Sequence, residues 1–349
     1  MRYPEFLRQN GTIGFVAPSF GCAAEPYRSA FANALEKLRQ TGLAVDLGPN
    51  CYAAAGVGIS NTPQKCGAEL TDYYTSREND CLISCGGGEL MCETLEYVDF
   101  DRIRQAPPKW YMGYSDNTNM TLLLATLCDV ASIYGPCAGA FGMEPWHPSI
   151  SDAFDLLCGK KNAFESYGRW ERESLKDEEH PLVPYNCTEP LHIRLFAPDE
   201  EGKSTEVPSA FMEGRLLGGC VDCLVNLTGT KYDRVSDFAE KYREDGILWF
   251  LEACDLNVFA IRRAMWQMEN AGWFRYVKGF LVGRPRLGEE MMGLDRFDAV
   301  LAVAEKYRVP VFMDVDLGHL APMMPLVTGS CAKIKGEKGK IHVTMEFSA

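Results

Sequence analysis

The sequence predicts an α/β protein in two domains, with a flavodoxin-like parallel sheet in the first. Strand-like and helix-like segments alternate between residues 12 and 134, which is typical of βαβ units. The alternation resumes near residue 209, after a charged stretch that has no periodicity. A length of 349 residues also favours two domains.

The first half supplies the predicted parallel sheet. Its strands are short, apolar runs that end in Gly, Pro or Ser, and its helices carry apolar residues at helical spacing. Thr62-Pro63 is a typical helix start, because proline fits the first helical turn. The predicted strands are 12–17, 81–85, 110–114 and 132–134, and the predicted helices are 27–40, 62–76 and 116–128.

The remainder divides into a polar segment and a second domain. Residues 165–208 are charged and carry Pro and Gly, so we predict a linker or insert loop between domains at 1–164 and 209–349. The chain is predicted to end in a β-hairpin that turns at Gly336–Gly339. The other predicted strands are 211–217, 247–251, 280–283 and 309–313, and the other helices are 221–227, 257–270 and 295–306.

Composition and charge exclude several classes of partner. The net charge of −13 argues against nucleic acid and against an anionic membrane, because both would repel the chain. No apolar run approaches the ~20 residues that a bilayer span needs. The N-terminus lacks a basic start followed by an apolar core, so we expect no secretory signal and a cytoplasmic location.

The fourteen cysteines are scattered through apolar segments, and we expect them to be reduced and mostly buried. Cys220 and Cys223 have CxxC spacing. A zinc site would need a second such pair or a paired histidine, and neither is near in the sequence. We therefore expect no metal at these two cysteines.

The segment 110-WYMGYSDNTNM-120 places Ser115 between a predicted strand and a predicted helix. Serine at this position is often an N-cap, which stabilises a helix by ~1 kcal/mol. It is also where a hydrolase nucleophile lies on a sharp turn, although the second glycine of the GxSxG motif is missing here. Residues 86–88 form a Gly-Gly-Gly turn whose N–H groups suit either an oxyanion or a simple tight turn.

A serine nucleophile needs a base and a group that orients the base. Among five histidines, His319 ends the segment 309-VPVFMDVDLGH-319, at the carboxyl end of a predicted strand. Glu252 follows the apolar strand ILWFL without a break. A buried carboxylate needs a partner such as His319 or an arginine, and the alternative is a carboxylate that emerges into water.

These segments, together with 214-GRLLGGCVDCLVNLTGT-230, resemble the LD-carboxypeptidase family of serine peptidases from residue 12 to residue 330. That family includes muramoyl-tetrapeptide carboxypeptidases and microcin C immunity peptidases. The resemblance implies an N-terminal parallel-sheet domain, a smaller C-terminal α/β domain with a mixed sheet, and a homodimer. It also implies a triad of Ser115, Glu252 and His319, with the active site lying between the domains. The mechanism that it implies needs no metal and no organic cofactor.

By the same resemblance, the oxyanion donors are the backbone N–H of Asp116 and that of Gly87 or Gly88. The long insert resembles the immunity branch, whose substrate is an aminoacyl-nucleotide-like amide and in which Trp170 would stack on a nucleobase. Trp170 is equally consistent with a packing anchor for the loop.

Three alternatives stay open at this stage. The substrate of the wall-recycling branch is a small murein tetrapeptide that loses its terminal D-Ala. A generic α/β-hydrolase esterase fits less well, because the second elbow glycine is missing and the Gly-Gly-Gly turn comes early in the chain. A non-catalytic ligand-binding relative would have been favoured by the loss of a triad residue, and none is lost.

Overall fold

A computed structural model describes residues 1–347, which form two compact units. The first unit comprises Met1–Lys161 and Glu173–Asn186. The second comprises Asn162–Arg172 and the described chain from Cys187 onward. Within these 347 described residues, every helix is too short or too polar to cross a bilayer.

The first unit is a parallel sheet with helices. Its strands lie in the order β2-β1-β3-β4-β5, and all neighbouring pairs among them are parallel. This order is that of flavodoxin-like folds, as the sequence predicts. The strands are β1 (Thr12–Val16), β2 (Ala44–Leu47), β3 (Cys81–Ser84), β4 (Trp110–Gly113) and β5 (Ser132–Tyr134). The helices are α1 (Tyr27–Gln40), α2 (Pro63–Thr75), α3 (Met91–Thr94), α4 (Phe100–Gln105), α5 (Thr118–Cys128) and α6 (Pro148–Leu157).

The central strands β3 and β4 are buried at every position, because helices cover both faces of a parallel sheet. Their sequences CLIS and WYMG are accordingly continuous rather than alternating. Helix α2 begins where the sequence predicts, since the Thr62 side chain accepts a hydrogen bond from the Lys65 N–H and Pro63 occupies the first turn.

The second unit is built on a nine-stranded mixed sheet, with strand order β10-β9-β14-β13-β12-β11-β16-β17-β6. The nine strands of this sheet are β6 (Ala163–Glu165), β9 (Arg194–Pro198), β10 (Ser204–Glu206), β11 (Ser209–Cys220), β12 (Ile247–Glu252), β13 (Val277–Gly283), β14 (Val311–Val315), β16 (Cys331–Glu337) and β17 (Lys340–Glu346). Three more strands of the unit lie outside this sheet, namely β7 (Arg169–Trp170), β8 (Glu189–Pro190) and β15 (Leu326–Thr328). Its helices are α7 (Val221–Leu227), α8 (Val235–Lys241), α9 (Val258–Asn270) and α10 (Arg296–Ala304).

The four strands β11, β12, β13 and β14 run parallel at the centre of this sheet, and antiparallel strands flank them. Strand β11 joins the antiparallel part of the sheet to the parallel part. Its first half alternates between exposed and buried residues beside β16, and its last six residues are buried beside β12. The predicted terminal hairpin is confirmed as β16 and β17, with Lys338 and Gly339 at positive φ in the turn.

The predicted insert at 165–208 contains more regular structure than the sequence indicates. Strands β9 and β10 pair at the edge of the mixed sheet, and β7 pairs with β8 in a separate two-stranded sheet. Edge strands of this kind are short and partly exposed, so their polar residues resemble those of a loop. The intervening residues Glu173–Asn186 belong to the first unit.

Candidate active site

Ser115 lies on a strained turn between β4 and α5. Its φ of 62° places it in the left-handed region, which a serine rarely adopts. The turn brings the chain back on itself so closely that a Cβ on Gly113 would lie 2.8 Å from Cγ of Asn117. Glycine is therefore required two residues before Ser115, and the turn has the geometry of a nucleophile elbow.

The N-cap interpretation of Ser115 is wrong. The 3-10 turn that begins at Ser115 has Tyr114 as its N-cap, and α5 has Asn117. Ser115 instead donates its backbone N–H to the Tyr134 hydroxyl, at 3.1 Å. A strained conformation without a capping role is typical of a functional residue.

The buried carboxylate of Asp116 fixes the elbow from one side. It accepts hydrogen bonds from the Ser19 hydroxyl at 2.5 Å, the Met91 N–H at 2.9 Å and the Asn119 side chain at 3.0 Å. Burial raises the pKa of Asp116, and the hydrogen bonds from Ser19 and Met91 oppose this rise. Asp116 thus ties the turn to the loop after β1 and to the start of α3.

Asn117 fixes the elbow from the other side. Its side-chain N–H₂ donates to the carbonyl of Gly86 at 2.8 Å and to that of Tyr114 at 3.1 Å, and its oxygen accepts from the Tyr111 hydroxyl. Sequence reasoning missed this role, because a fully buried Asn117 looks like one of several small polar residues after Ser115. The consequence is that the elbow and the glycine turn form one hydrogen-bonded structure.

The two candidate glycines face different neighbours. A Cβ on Gly87 would lie 3.2 Å from Cβ and 3.3 Å from Oγ of Ser115, whereas a Cβ on Gly88 would collide with the Ser19 hydroxyl and lie 2.9 Å from the Gly58 carbonyl. Among residues 1–347, neither N–H has a hydrogen-bond acceptor. Gly87 is therefore the glycine that adjoins the Ser115 hydroxyl.

In the second unit, a buried Glu252 pairs with a half-buried His319. Oε2 of Glu252 lies 2.8 Å from Nδ1 of His319, and Glu252 is 2% exposed. Glu252 is the last residue of β12, and His319 follows β14 after a turn at Gly318, whose φ is 97°. The alternative in which Glu252 emerges into water is wrong.

Glycine is needed at this turn because a Cβ on Gly318 would lie 2.6 Å from Oε2 of Glu252. The electrostatics of the pair follow from its burial. Burial lowers the pKa of His319, but the Glu252 carboxylate and the Cys254 thiol raise it, and the net pKa lies above the ordinary value. Glu252 thus both orients the imidazole and stabilises its protonated form.

Trp170 lies in β7 of the second unit, and several contacts hold its ring. Its Nε1 donates to the Pro190 carbonyl at 3.2 Å, and the guanidinium groups of Arg172 and Arg284 lie 5.3 and 5.1 Å from the ring centroid. Arg284 is buried and pairs with Asp316 at 2.7 Å. These contacts support the packing role, and part of the ring surface stays accessible.

Comparison with protein-family models gives two matches to one family. Residues 13–135 match the LD-carboxypeptidase N-terminal domain, and residues 213–334 match the LD-carboxypeptidase C-terminal domain. The chain belongs to the LD-carboxypeptidase family. This LD-carboxypeptidase family member is therefore an enzyme of the serine peptidase class.

Curated relatives of the enzyme are distant but match along its length. The microcin C7 self-immunity protein MccF of Escherichia coli is 23% identical over 350 residues, which cover 98% of this chain and 95% of MccF. A Vibrio cholerae serotype O1 protein, provisionally named a carboxypeptidase, is 24% identical over 331 residues, covering 93% of this chain and 92% of the relative.

Solved structures show the same fold. MccF in complex with aspartyl sulfamoyl adenosine aligns with a TM-score of 0.79 at 19% identity, over all of both chains. An MccF-like protein from Bacillus anthracis str. Ames aligns with a TM-score of 0.79 at 19% identity, over 99% of this chain and all of the other. The α/β fold of the LD-carboxypeptidase family is thus shared along the whole chain.

Proposed function

We propose that the enzyme hydrolyses an amide bond of a small peptide or aminoacyl-nucleotide-like substrate through a triad of Ser115, His319 and Glu252. The observation that carries the proposal is the 2.8 Å contact between the buried Glu252 and the half-buried His319. A carboxylate-bound imidazole at the carboxyl ends of parallel strands is the arrangement that a general base requires. The strained elbow at Ser115 supports the assignment of the nucleophile.

In this mechanism, His319 accepts the Ser115 proton while the serine oxygen attacks the amide carbonyl. The imidazolium then gives that proton to the leaving amine, and water hydrolyses the acyl-enzyme by the reverse sequence. Glu252 holds Nδ1–H of the imidazole, so that the other ring nitrogen acts as the base. Glu252 also stabilises the imidazolium that forms in each half of the reaction.

The N–H groups of Asp116 and Gly87 are the proposed oxyanion donors. The side-chain bonds of Asp116 and Asn117 hold the elbow and the glycine turn in fixed positions, which preorganises these donors before the substrate binds. Gly87 is preferred over Gly88 because it adjoins the Ser115 hydroxyl. Each such donor contributes a few kcal/mol to transition-state stabilisation.

For the substrate, we favour an aminoacyl- or peptidyl-nucleotide-like amide. This proposal is supported by the similarity to MccF along the whole chain, since structures of MccF hold aspartyl sulfamoyl adenosine and glutamyl sulfamoyl guanosine. The residues between β6 and β11 supply an aromatic candidate, Trp170, for stacking on the base. We further propose a cytoplasmic homodimer, on family resemblance.

The second candidate function is release of D-Ala from a murein tetrapeptide, which the name of the matching family models favours. Mass spectrometry of wild type and Ser115→Ala with both substrates separates the two functions. Ser115-dependent cleavage of an aspartyl-sulfamoyl adenosine supports the first, and Ser115-dependent loss of D-Ala supports the second. Ser29→Ala is the matched control, because that hydroxyl donates an exposed hydrogen bond to the neighbouring Glu25 side chain, at 2.9 Å.

Turnover that persists in Ser115→Ala would overturn the triad. If well-folded wild type cleaves neither compound, the result favours a substrate other than these two, or ligand binding without catalysis.

A further inference from the structure

Cysteine thiols surround the Glu252–His319 pair. Cys220 is the last residue of β11 and lies directly opposite Glu252 in the parallel ladder with β12. Cys254 follows Glu252 by two residues and raises the pKa of His319. Cys223 is one helical turn from Cys220, whose pKa it raises. No local sequence pattern connects Cys220 with a histidine, because Glu252 and His319 come from distant parts of the chain.

Three of these side chains point their donor atoms at one place. The Cys220 sulfur, one carboxylate oxygen of Glu252 and one ring nitrogen of His319 all lie within 4.8 Å of one another. Cys220 and Glu252 are buried, at 1% and 2% exposure. Thiolate, imidazole and carboxylate are the three ligand types that Zn²⁺ prefers in proteins.

We propose that Cys220, Glu252 and His319 form a binding site for a thiophilic divalent cation such as Zn²⁺, and that occupancy of this site blocks the triad. Charge balance supports the assignment. One thiolate, one carboxylate and a neutral imidazole offset the charge of a divalent cation, as a buried site requires. The Asp222 carboxylate, 3.3 Å from the Cys220 sulfur, adds negative charge beside the site.

Binding requires a small rearrangement of the pair. Two ligand atoms at about 2.0 Å from a tetrahedral Zn²⁺ are about 3.3 Å apart. The Glu252 oxygen and His319 nitrogen are 2.8 Å apart, so they must separate by about half an ångström. The cation then takes the place of the shared proton. Three protein ligands leave the fourth position to water.

The inhibitory consequence rests on the proposed function, because it follows from the role of His319 as the base. When the His319 imidazole binds the cation, its lone pair is no longer available for the Ser115 proton. When Glu252 binds the cation, its carboxylate no longer holds the imidazole. We therefore expect Zn²⁺ to suppress turnover reversibly, with full recovery after addition of a chelator.

Binding itself is tested without an activity assay. Chelator-treated protein, kept reduced so that no disulfide forms between Cys220 and Cys223, is titrated with Co²⁺. A thiolate-to-cobalt charge-transfer band that saturates at one equivalent and is removed by Zn²⁺ supports the site. Cys220→Ala and Cys220→Ser should each weaken binding by at least about 100-fold, beyond the 10–100-fold typical of an outer-shell change.

Cys331→Ala is the matched control, because Cys331 is a half-buried thiol of the same unit at the start of β16. It should bind Co²⁺ like wild type. Absence of the band in wild type, or its survival in both Cys220 variants, would overturn the site. Thermal melts of both Cys220 variants check that each is folded. If one variant fails to fold, the other still tests the site.

Zn²⁺ inhibition is then measured in each variant relative to its own activity in chelator. Loss of sensitivity in the Cys220 variants but not in Cys331→Ala supports the inhibitory role. Turnover that rises with Zn²⁺ and survives Ser115→Ala would refute it and would indicate a metal-dependent hydrolase. Protein that binds Co²⁺ through Cys220 but hydrolyses nothing would leave the site intact and refute only the proposed function.

Discussion

Replacing Glu252 by Gln removes the charge that faces His319 and keeps the volume of the side chain. At an oxygen–nitrogen distance of 2.8 Å, the charge centres of carboxylate and imidazolium lie roughly 4 Å apart, and their attraction is about 4 kcal/mol at an effective dielectric constant of 20. One pKa unit corresponds to about 1.4 kcal/mol, so the pKa of His319 should fall by about 3 units.

The assay is kcat/KM from pH 5 to pH 10. Wild type needs neutral His319, whose pKa is raised to about 11, so its activity should still be increasing at pH 10, below the midpoint of its profile. In Glu252→Gln this midpoint should move about 3 units lower, while the plateau falls by about 10³–10⁴-fold because the imidazole loses its orientation. Glu244→Gln, on an exposed side chain, should leave the profile unchanged.

An unmoved midpoint in Glu252→Gln would refute the reasoning. The pH dependence of stability is an independent measure of the interaction between Glu252 and His319. Since the folded pKa of His319 exceeds the unfolded value, the pair stabilises the protein fully below that unfolded value, and this contribution is lost as pH rises through the folded pKa. The melting-temperature difference between wild type and Glu252→Gln should therefore be larger at pH 6 than at pH 10.

Four further substitutions test the framework of the site. Asn117→Ala should lower the free energy of unfolding by about 1–3 kcal/mol in denaturant titrations, because its buried partners lose their hydrogen bonds, and kcat should fall with it. Gly87→Ala keeps the backbone N–H but adds a Cβ 3.3 Å from Oγ of Ser115, so kcat should fall by about 10–10³-fold with little change in melting temperature. Gly88→Ala should mainly lower the melting temperature, because its Cβ would collide with the Ser19 hydroxyl, and the reverse pattern would contradict the choice of Gly87 as the glycine beside the nucleophile. Gly318→Ala should reduce both stability and turnover, because its φ is positive and its Cβ would contact Glu252; full activity would contradict the described turn.

The main elements and the candidate residues at the strand ends were predictable from sequence. β3, β4 and β12 are continuous apolar runs, and a polar residue directly after such a run marks the carboxyl edge of the sheet. Glu252 stood out for this reason, since a carboxylate next to five apolar residues needs a partner.

The supporting contacts were not predictable from one sequence. The Asp116 carboxylate is held by hydrogen bonds from Ser19 and Met91, and the Asn117 side chain is held by a hydrogen bond to Gly86. These partners are all distant along the chain. No local pattern distinguishes such residues from ordinary turn residues. The strands between residues 165 and 208 were missed because they are short, and β7, β8 and β10 are partly exposed, so their polar residues resemble those of a loop.

The path of the chain through its two units decides how the protein can be dissected. The chain passes from one unit to the other after Lys161, after Arg172 and after Asn186. Neither unit is consequently one continuous stretch of polypeptide. A fragment that stops at Lys161 lacks Glu173–Asn186, and a fragment that starts at Cys187 lacks β6 and β7. A two-fragment complementation experiment would therefore have to place the break inside a surface loop of one unit, and not at any single boundary between the two.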